Sequence, residues 1–257
     1  MNCRRLLSVL VLPVVLFSGC GSEDEAKLSS SRTALNLTEV KTNPSAPGNE
    51  WFDFRPNVKK LILAGAAETE HVAILWYTVP DGAVGLHYHS KTESVYVIEG
   101  TQTDGKGVYP TGTVYFNPPG SGHQITDSSG FFLLAYAAPP DFANTALIGE
   151  YTPVRIDTTA ADLTTVNAFE PKAAGIAIYT VPVDGMGSLS AAMIDITTAM
   201  ADYTYTGNYL LVLGGTCEID GLSYGREMLV VTKTVVPEAY KVGAPANGAC
   251  LALGVSF

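Results

Sequence analysis

The stretch His87-Tyr-His89-Ser-Lys-Thr-Glu93-Ser-Val-Tyr-Val-Ile-Glu-Gly100 concentrates two imidazoles and a carboxylate ahead of an apolar strand. Residues 87, 89 and 93 share parity, so on a strand their side chains project from one face. Val95 and Val97 continue that face as a hydrophobic floor and are the expected substrate-pocket residues. Downstream, Pro118-Pro119-Gly120-Ser121-Gly122 is a turn able to bring His123 back alongside the first strand. Three neutral imidazoles and a carboxylate make a mixed nitrogen/oxygen set for one divalent transition metal, with His87, His89, Glu93 and His123 as ligands. That ligand set does not choose between iron, manganese, nickel, copper and zinc. The chain has only four histidines; His71 lacks such company and reads as a simple strand-edge residue.

Working outward, short apolar runs recur between Gly, Pro, Asp and Asn. Val72–Val79, Ser94–Ile98, Thr113–Phe116 and Phe131–Ala137 are strand-like. A polar connector follows Pro140 and runs to about Lys172. A second set comprises Ile176–Val181, Ala191–Thr197, Tyr209–Leu213, Leu229–Val235 and Leu251–Phe257. No segment sustains a helical period, so the fold class is all-β, a sandwich or barrel. The two sets are alike: Ser94-Val-Tyr-Val-Ile-Glu-Gly100-Thr parallels Tyr209-Leu-Leu-Val-Leu-Gly-Gly215-Thr, and Gly112 and Gly225 each open the next apolar strand. Duplication of one barrel is the economical reading.

The region Gly82–Asp127 resembles the two motifs of the cupin superfamily. His87-x-His89, Glu93 and Gly100 match the first; Gly112, Pro118-x-Gly120 and His123 match the second. Gly82 stands one residue closer to His87 than is usual, and Asp127 replaces the customary Asn. The resemblance implies two tandem jelly-roll barrels, the first metal-competent and the second degenerate. Counted from Gly215 and Gly225, the second barrel's ligand positions hold Asp202, Thr204, Asn208 and Val236. The bicupin layout resembles ChrR-like and quercetinase-like cupins. It implies a metal-dependent, dioxygenase-like oxidoreductase, with Glu93 as permanent ligand or as a carboxylate that swings off to act as a base. A non-catalytic metal- or ligand-binding cupin of sensor type is the alternative.

Composition narrows the partners. The net charge of −10 and the 16% charged content argue against nucleic acid and against an anionic lipid surface. Hydrophobic residues make up 47% of the chain, which excludes a mostly disordered protein. Arg4 and Arg5 precede an apolar run to Phe17, too short for the roughly 20 residues a spanning helix needs. Ser18-Gly19-Cys20 resembles a bacterial lipobox, so residues 1–19 read as a lipoprotein signal peptide and Cys20 as the lipidated residue. The expected organisation is a tether over 20–50, a metal-binding barrel over 51–145 and a degenerate barrel over 146–257. Export would place the protein at the periplasmic face of the outer membrane or the cell surface, held by its lipid alone. Cys217 and Cys250 are an even pair in an oxidising compartment, either a disulfide or two buried thiols.

For the substrate, the run between Arg55 and Arg155 contains no arginine, so the bidentate clamp that suits a small dicarboxylate is missing. A small, mostly neutral organic molecule is expected. Trp76, Tyr115, Phe116 and Tyr136 could line the pocket or pack the core. Exposed barrel faces leave a homodimer open.

Overall fold

The computed structural model describes residues 28–183, 189–199 and 202–257. The expected signal peptide and Cys20 lie outside the described residues, and among the described ones no helix is long and apolar enough to cross a membrane. In chain order, β1 (Arg32–Asn36) and α1 (Leu37–Thr42) come first. They lead to β2 (Phe52–Arg55), β3 (Val58–Gly65), β4 (His71–Tyr88), β5 (Glu93–Asp104), β6 (Gly107–Pro110), β7 (Thr113–Asn117), β8 (Gly122–Tyr136) and β9 (Val154–Asp157). After α2 (Leu163–Val166) come β10 (Glu170–Ala173), β11 (Ile176–Thr180), β12 (Ser190–Ile196), β13 (Asp202–Gly207) and β14 (Tyr209–Ile219). The chain closes with β15 (Leu222–Gly225), β16 (Met228–Thr232), β17 (Glu238–Gly243) and β18 (Cys250–Ser256).

These strands form two antiparallel sheets, as tandem jelly-roll barrels require. One runs β2-β3-β4-β8-β5-β7-β9 with β6 on β5; the other contains β1 and β10 to β18. Two expectations about boundaries are corrected. β9 pairs with β7, so the first barrel extends to Asp157 rather than 145. The expected tether over 20–50 contains β1, which pairs along its length with β16 of the second barrel. Buried Arg32 pins it there through ion pairs to Asp220 and Glu238 and by stacking on Tyr240. The polarity of residues 21–50 hid this, because one buried arginine with two acidic partners leaves no hydrophobic period.

Alternation of side chains gives each barrel an inner core. In the first it includes Val95, Val97, Tyr115, Phe132 and Leu134; in the second, Ile178, Ile194, Leu210, Val230 and Val242. The opposite parity of the same strands is also apolar. Ile74, Phe116, Leu133, Leu211, Leu229 and Leu253 belong to a third core in which the barrels' outer faces cover one another. The duplication is visible in the backbone: Gly100 and Gly215 both have positive φ, and a Cβ would overlap the Ser129 or Ala249 carbonyl. Only glycine permits that crossing of strands. Cys217 and Cys250 form a disulfide within the second core, with Cα atoms 4.6 Å apart.

Leu211→Ala should destabilise the protein by about 2–5 kcal/mol. Because Leu211 belongs to the shared core, both barrels should still melt in a single calorimetric transition; two separate transitions would show that the faces are independent. Reducing the disulfide should cost about 3–4 kcal/mol for a loop of this size, read as a lower denaturation midpoint in the presence of reductant.

Candidate metal centre

His87 and His123 sit directly opposite each other where β4 pairs with β8. Glu93 is the first residue of β5, which lies on the other side of β8. The parity expectation is therefore met only in part. β4 ends at Tyr88, and His89 belongs to the turn that crosses over β8 before β5 begins. Its backbone is held there by hydrogen bonds from His89 N to the Ser121 carbonyl and from Gly120 N to the His89 carbonyl, each 2.8 Å. The Gly/Pro turn thus anchors one ligand and delivers another.

All four residues are buried, and their ligand atoms lie within 4.8 Å of one another. Ligands about 2.0–2.2 Å from one ion stand at most about 4.4 Å apart, so closing on a cation takes only a few tenths of an ångström. The hydrogen bonds aim the rings. His87 Nδ1 donates to the Gly85 carbonyl at 2.9 Å, and His123 Nδ1 donates to Asp104 Oδ2 at 2.7 Å, leaving both Nε2 atoms turned to the common point. Neither ring nitrogen of His89 has a hydrogen-bond partner among the described residues, although its Nε2 stands 3.4 Å from Glu93 Oε2. Buried nitrogens without partners are costly, and a metal satisfies one of them. The residues fit an ion.

Electrostatics agree. Burial alone would raise the Glu93 pKa, but His89, His123 and His87 hold it well below the usual carboxylate range. Asn117 Nδ2 donates to Glu93 Oε2 at 2.8 Å. Burial, with His123 and His89 nearby, pulls His87 down to about 3, and burial pulls His89 down to about 4, keeping both rings neutral as ligands must be. His123 is the exception. Burial would lower it, yet the bonds to Asp104 and Glu93 raise it to about 9. His123 Nε2 stands 3.4 Å from Glu93 Oε2, and a bound ion between them would take the place of the proton that the two share.

A cavity with about 10 Å³ of free space opens beside the ligands, room for one water-sized guest. Its walls include Phe54, Tyr77, Val84, Gln102, Ile125 and Tyr136. Val95 and Val97 are not in that wall; both are fully buried in the inner core beneath. Of the four aromatics, only Tyr136 lines the cavity, while Tyr115 packs the inner core and Trp76 and Phe116 the core between barrels.

Several site residues carried no legible signal. Asp104, eleven positions past Glu93, accepts from His123 and also from Lys106 N, Gly107 N and the Tyr109 hydroxyl. Tyr77 and Gln102 line the cavity, with the Tyr77 hydroxyl and Gln102 Oε1 unpartnered among the described residues. His71 is not a strand-edge residue in the simple sense: it is fully buried, tilts against Tyr136 and accepts from Lys60 Nζ at 3.3 Å. Burial, opposed by Glu93 and reinforced by Arg55, pulls the Lys60 pKa down to about 8.

The second barrel does not reproduce the site. Asp202 is exposed and pairs with Lys241 Nζ at 2.7 Å, Thr204 is exposed, and Val236 is 64% exposed. Asn208 is buried, but its amide is spent on the backbone, donating to Val235 O and accepting from Phe257 N.

His87→Ala or His123→Ala should abolish stoichiometric metal in elemental analysis while the β circular dichroism persists. Asp202→Ala should leave one ion per chain; two ions in the wild type would contradict this assignment. Asp104→Asn should weaken metal affinity by about 10–100-fold through loss of the carboxylate that orients His123, as measured by competition with a chelator.

Residues 45–139 match the ChrR cupin-like domain family. No protein of curated function matches the chain. Among solved structures, it is similar to a provisionally assigned dioxygenase from Nostoc punctiforme, 11% identical over 89% of this chain and 84% of that one, with a TM-score of 0.56. It is also similar to a provisionally named glyoxylate-induced protein from Pseudomonas aeruginosa, 13% identical over 92% of each chain, with a TM-score of 0.55. At these identities the likeness concerns the fold.

Proposed function

We propose that this chain is a metal-dependent oxidoreductase of dioxygenase type that acts on a small organic molecule. The observation that carries this reading is the buried convergence of His87, His89, Glu93 and His123 beside a cavity. Four protein ligands leave coordination positions open on a six-coordinate ion, which supplies Lewis-acid or redox chemistry when bound. The chain's own groups set the conditions. Asp104 and the Gly85 carbonyl fix the faces that His123 and His87 present. Asn117 and the Tyr136 hydroxyl hold Glu93, which favours permanent ligation over a swinging base. Val84, Ile125 and Leu134 exclude water from the wall, while the free Tyr77 hydroxyl and Gln102 Oε1 are available to orient a substrate.

The tightness of the cavity favours a second reading, in which the ion is held or sensed without turnover. The two separate on the ion's character. The oxidoreductase reading expects the native ion to be redox-active with exchangeable water, so that its electron paramagnetic resonance or optical spectrum shifts on adding azide. A zinc ion, or one indifferent to azide, contradicts it and supports the sensor reading.

The lipobox-like Ser18-Gly19-Cys20 behind a basic, apolar leader supports export and lipid anchoring as part of the proposal. Cys20→Ala should move the chain from the membrane fraction to the soluble fraction; retention in the membrane would refute the anchor.

A further inference from the structure

The cavity beside the ligands holds one water-sized guest, so an organic molecule reaches them only if part of its wall moves. Most of that wall is fixed, because β4, β5 and β8 are bound to one another by long antiparallel ladders. Every residue lining the cavity is buried except Phe54 and Pro140, which are half-buried and mark its mouth. Phe54 belongs to β2, and Pro140 to the segment that leaves β8.

Phe142, two residues past Pro140, closes that mouth. Its ring packs 5.2 Å from the His87 ring and 6.3 Å from the Phe54 ring, against the inner core of the first barrel. The Arg55 guanidinium lies 3.8 Å from the centre of the Phe142 ring and 4.5 Å from that of Phe54, and it donates to the Phe54 carbonyl at 2.7 Å. Arg55 therefore ties together the two lips of the mouth. The backbone on the Pro140 side is lightly held. Asp141 and Tyr88 exchange one pair of hydrogen bonds, 2.8 and 2.9 Å, and Pro139 and Pro140 have no N–H to add. The Asp141 carboxylate accepts from Ala143 N, Asn144 N and Asn144 Nδ2, which folds the segment on itself rather than onto the barrel. Such a segment opens locally at far lower cost than the barrel unfolds. Departure of the Phe142 ring would uncover His87.

We propose that Phe142 and Pro140 form a gate to the metal cavity, latched by Arg55, and that Phe142 sets the size of the molecule that reaches the ligands. This deepens the reading above and rests on it only for the use made of what enters. The test begins with the chelated chain and diethyl pyrocarbonate, which acylates accessible neutral imidazoles; peptide mass spectrometry follows each histidine. His87 Nε2 is the atom at risk, since Nδ1 is engaged with Gly85. Phe142→Ala should speed His87 acylation at least about tenfold, as loss of a lid residue would, and Phe142→Tyr should stay near wild type. His71, buried but not among the cavity residues, should react as slowly as before, and Val97→Ala, in the core beneath, should leave His87 protected. Wild-type His87 reacting as fast as free N-acetylhistidine, no rise in Phe142→Ala, or a rise matched by His71 or by Val97→Ala would overturn the gate. If Phe142→Ala fails to fold, Arg55→Gln at the half-buried rim carries the test, with an expected rise of about threefold. A second arm loads the chain with cobalt(II) and follows acetohydroxamate and benzohydroxamate binding optically. Phe142→Ala should speed the larger ligand more than the smaller one, and equal acceleration would contradict selection by size. Failure to take up cobalt would count against the metal-centre reading instead, and the acylation arm would still decide for or against the gate.

Discussion

Glu93 is an ionised carboxylate that is 2% exposed, and the first barrel is organised around making that tolerable. A buried carboxylate survives only with positive charge or donors around it. Here three imidazoles from β4, its following turn and β8 close on it, and Asn117 and Tyr136 donate to it. The requirement fixes where β4 must stop, where β5 must start and why the turn at Gly120 must grip His89. Asp104 extends the pattern, since its own carboxylate is satisfied by His123, two backbone amides and Tyr109.

The two barrels share a backbone plan and divide the physical work. In the second, the interior that holds ligands in the first is given to aliphatic side chains and a disulfide. Its ligand positions have drifted to exposed residues and to an asparagine that ties down backbone. What it contributes is apolar area. Its outer face covers the outer face of the first barrel, so strands β4, β5 and β8 are clamped from behind while their inner faces carry the candidate ligands. A site with several unsatisfied polar atoms is the kind of local instability that a large neighbouring core can support.

Much of this was legible in the sequence, and the limits are physical. The strand runs and the paired Gly100 and Gly215 show the duplicated β fold because alternation and positive φ leave marks on composition. The four ligands are legible because histidine is scarce in this chain and the Gly/Pro turn frames His123. Shared parity, by contrast, gave the right grouping for a partly wrong reason: His89 reaches the site through a turn. Asp104, Lys60 and Arg55 left no mark, since an isolated charged residue in a strand looks the same whether it faces water or a buried imidazole. The strand at Arg32–Asn36 escaped notice for the same reason, its stabilising partners lying about 190 to 210 residues away.

Anomalous diffraction from crystals of the soluble chain, collected at the absorption edge of its native metal, bears most directly on the central claim. The account predicts a single peak per chain, about 2.0–2.2 Å from a ring nitrogen of each of His87, His89 and His123 and from a Glu93 oxygen. A peak elsewhere, or none in protein purified from its native compartment, would contradict it.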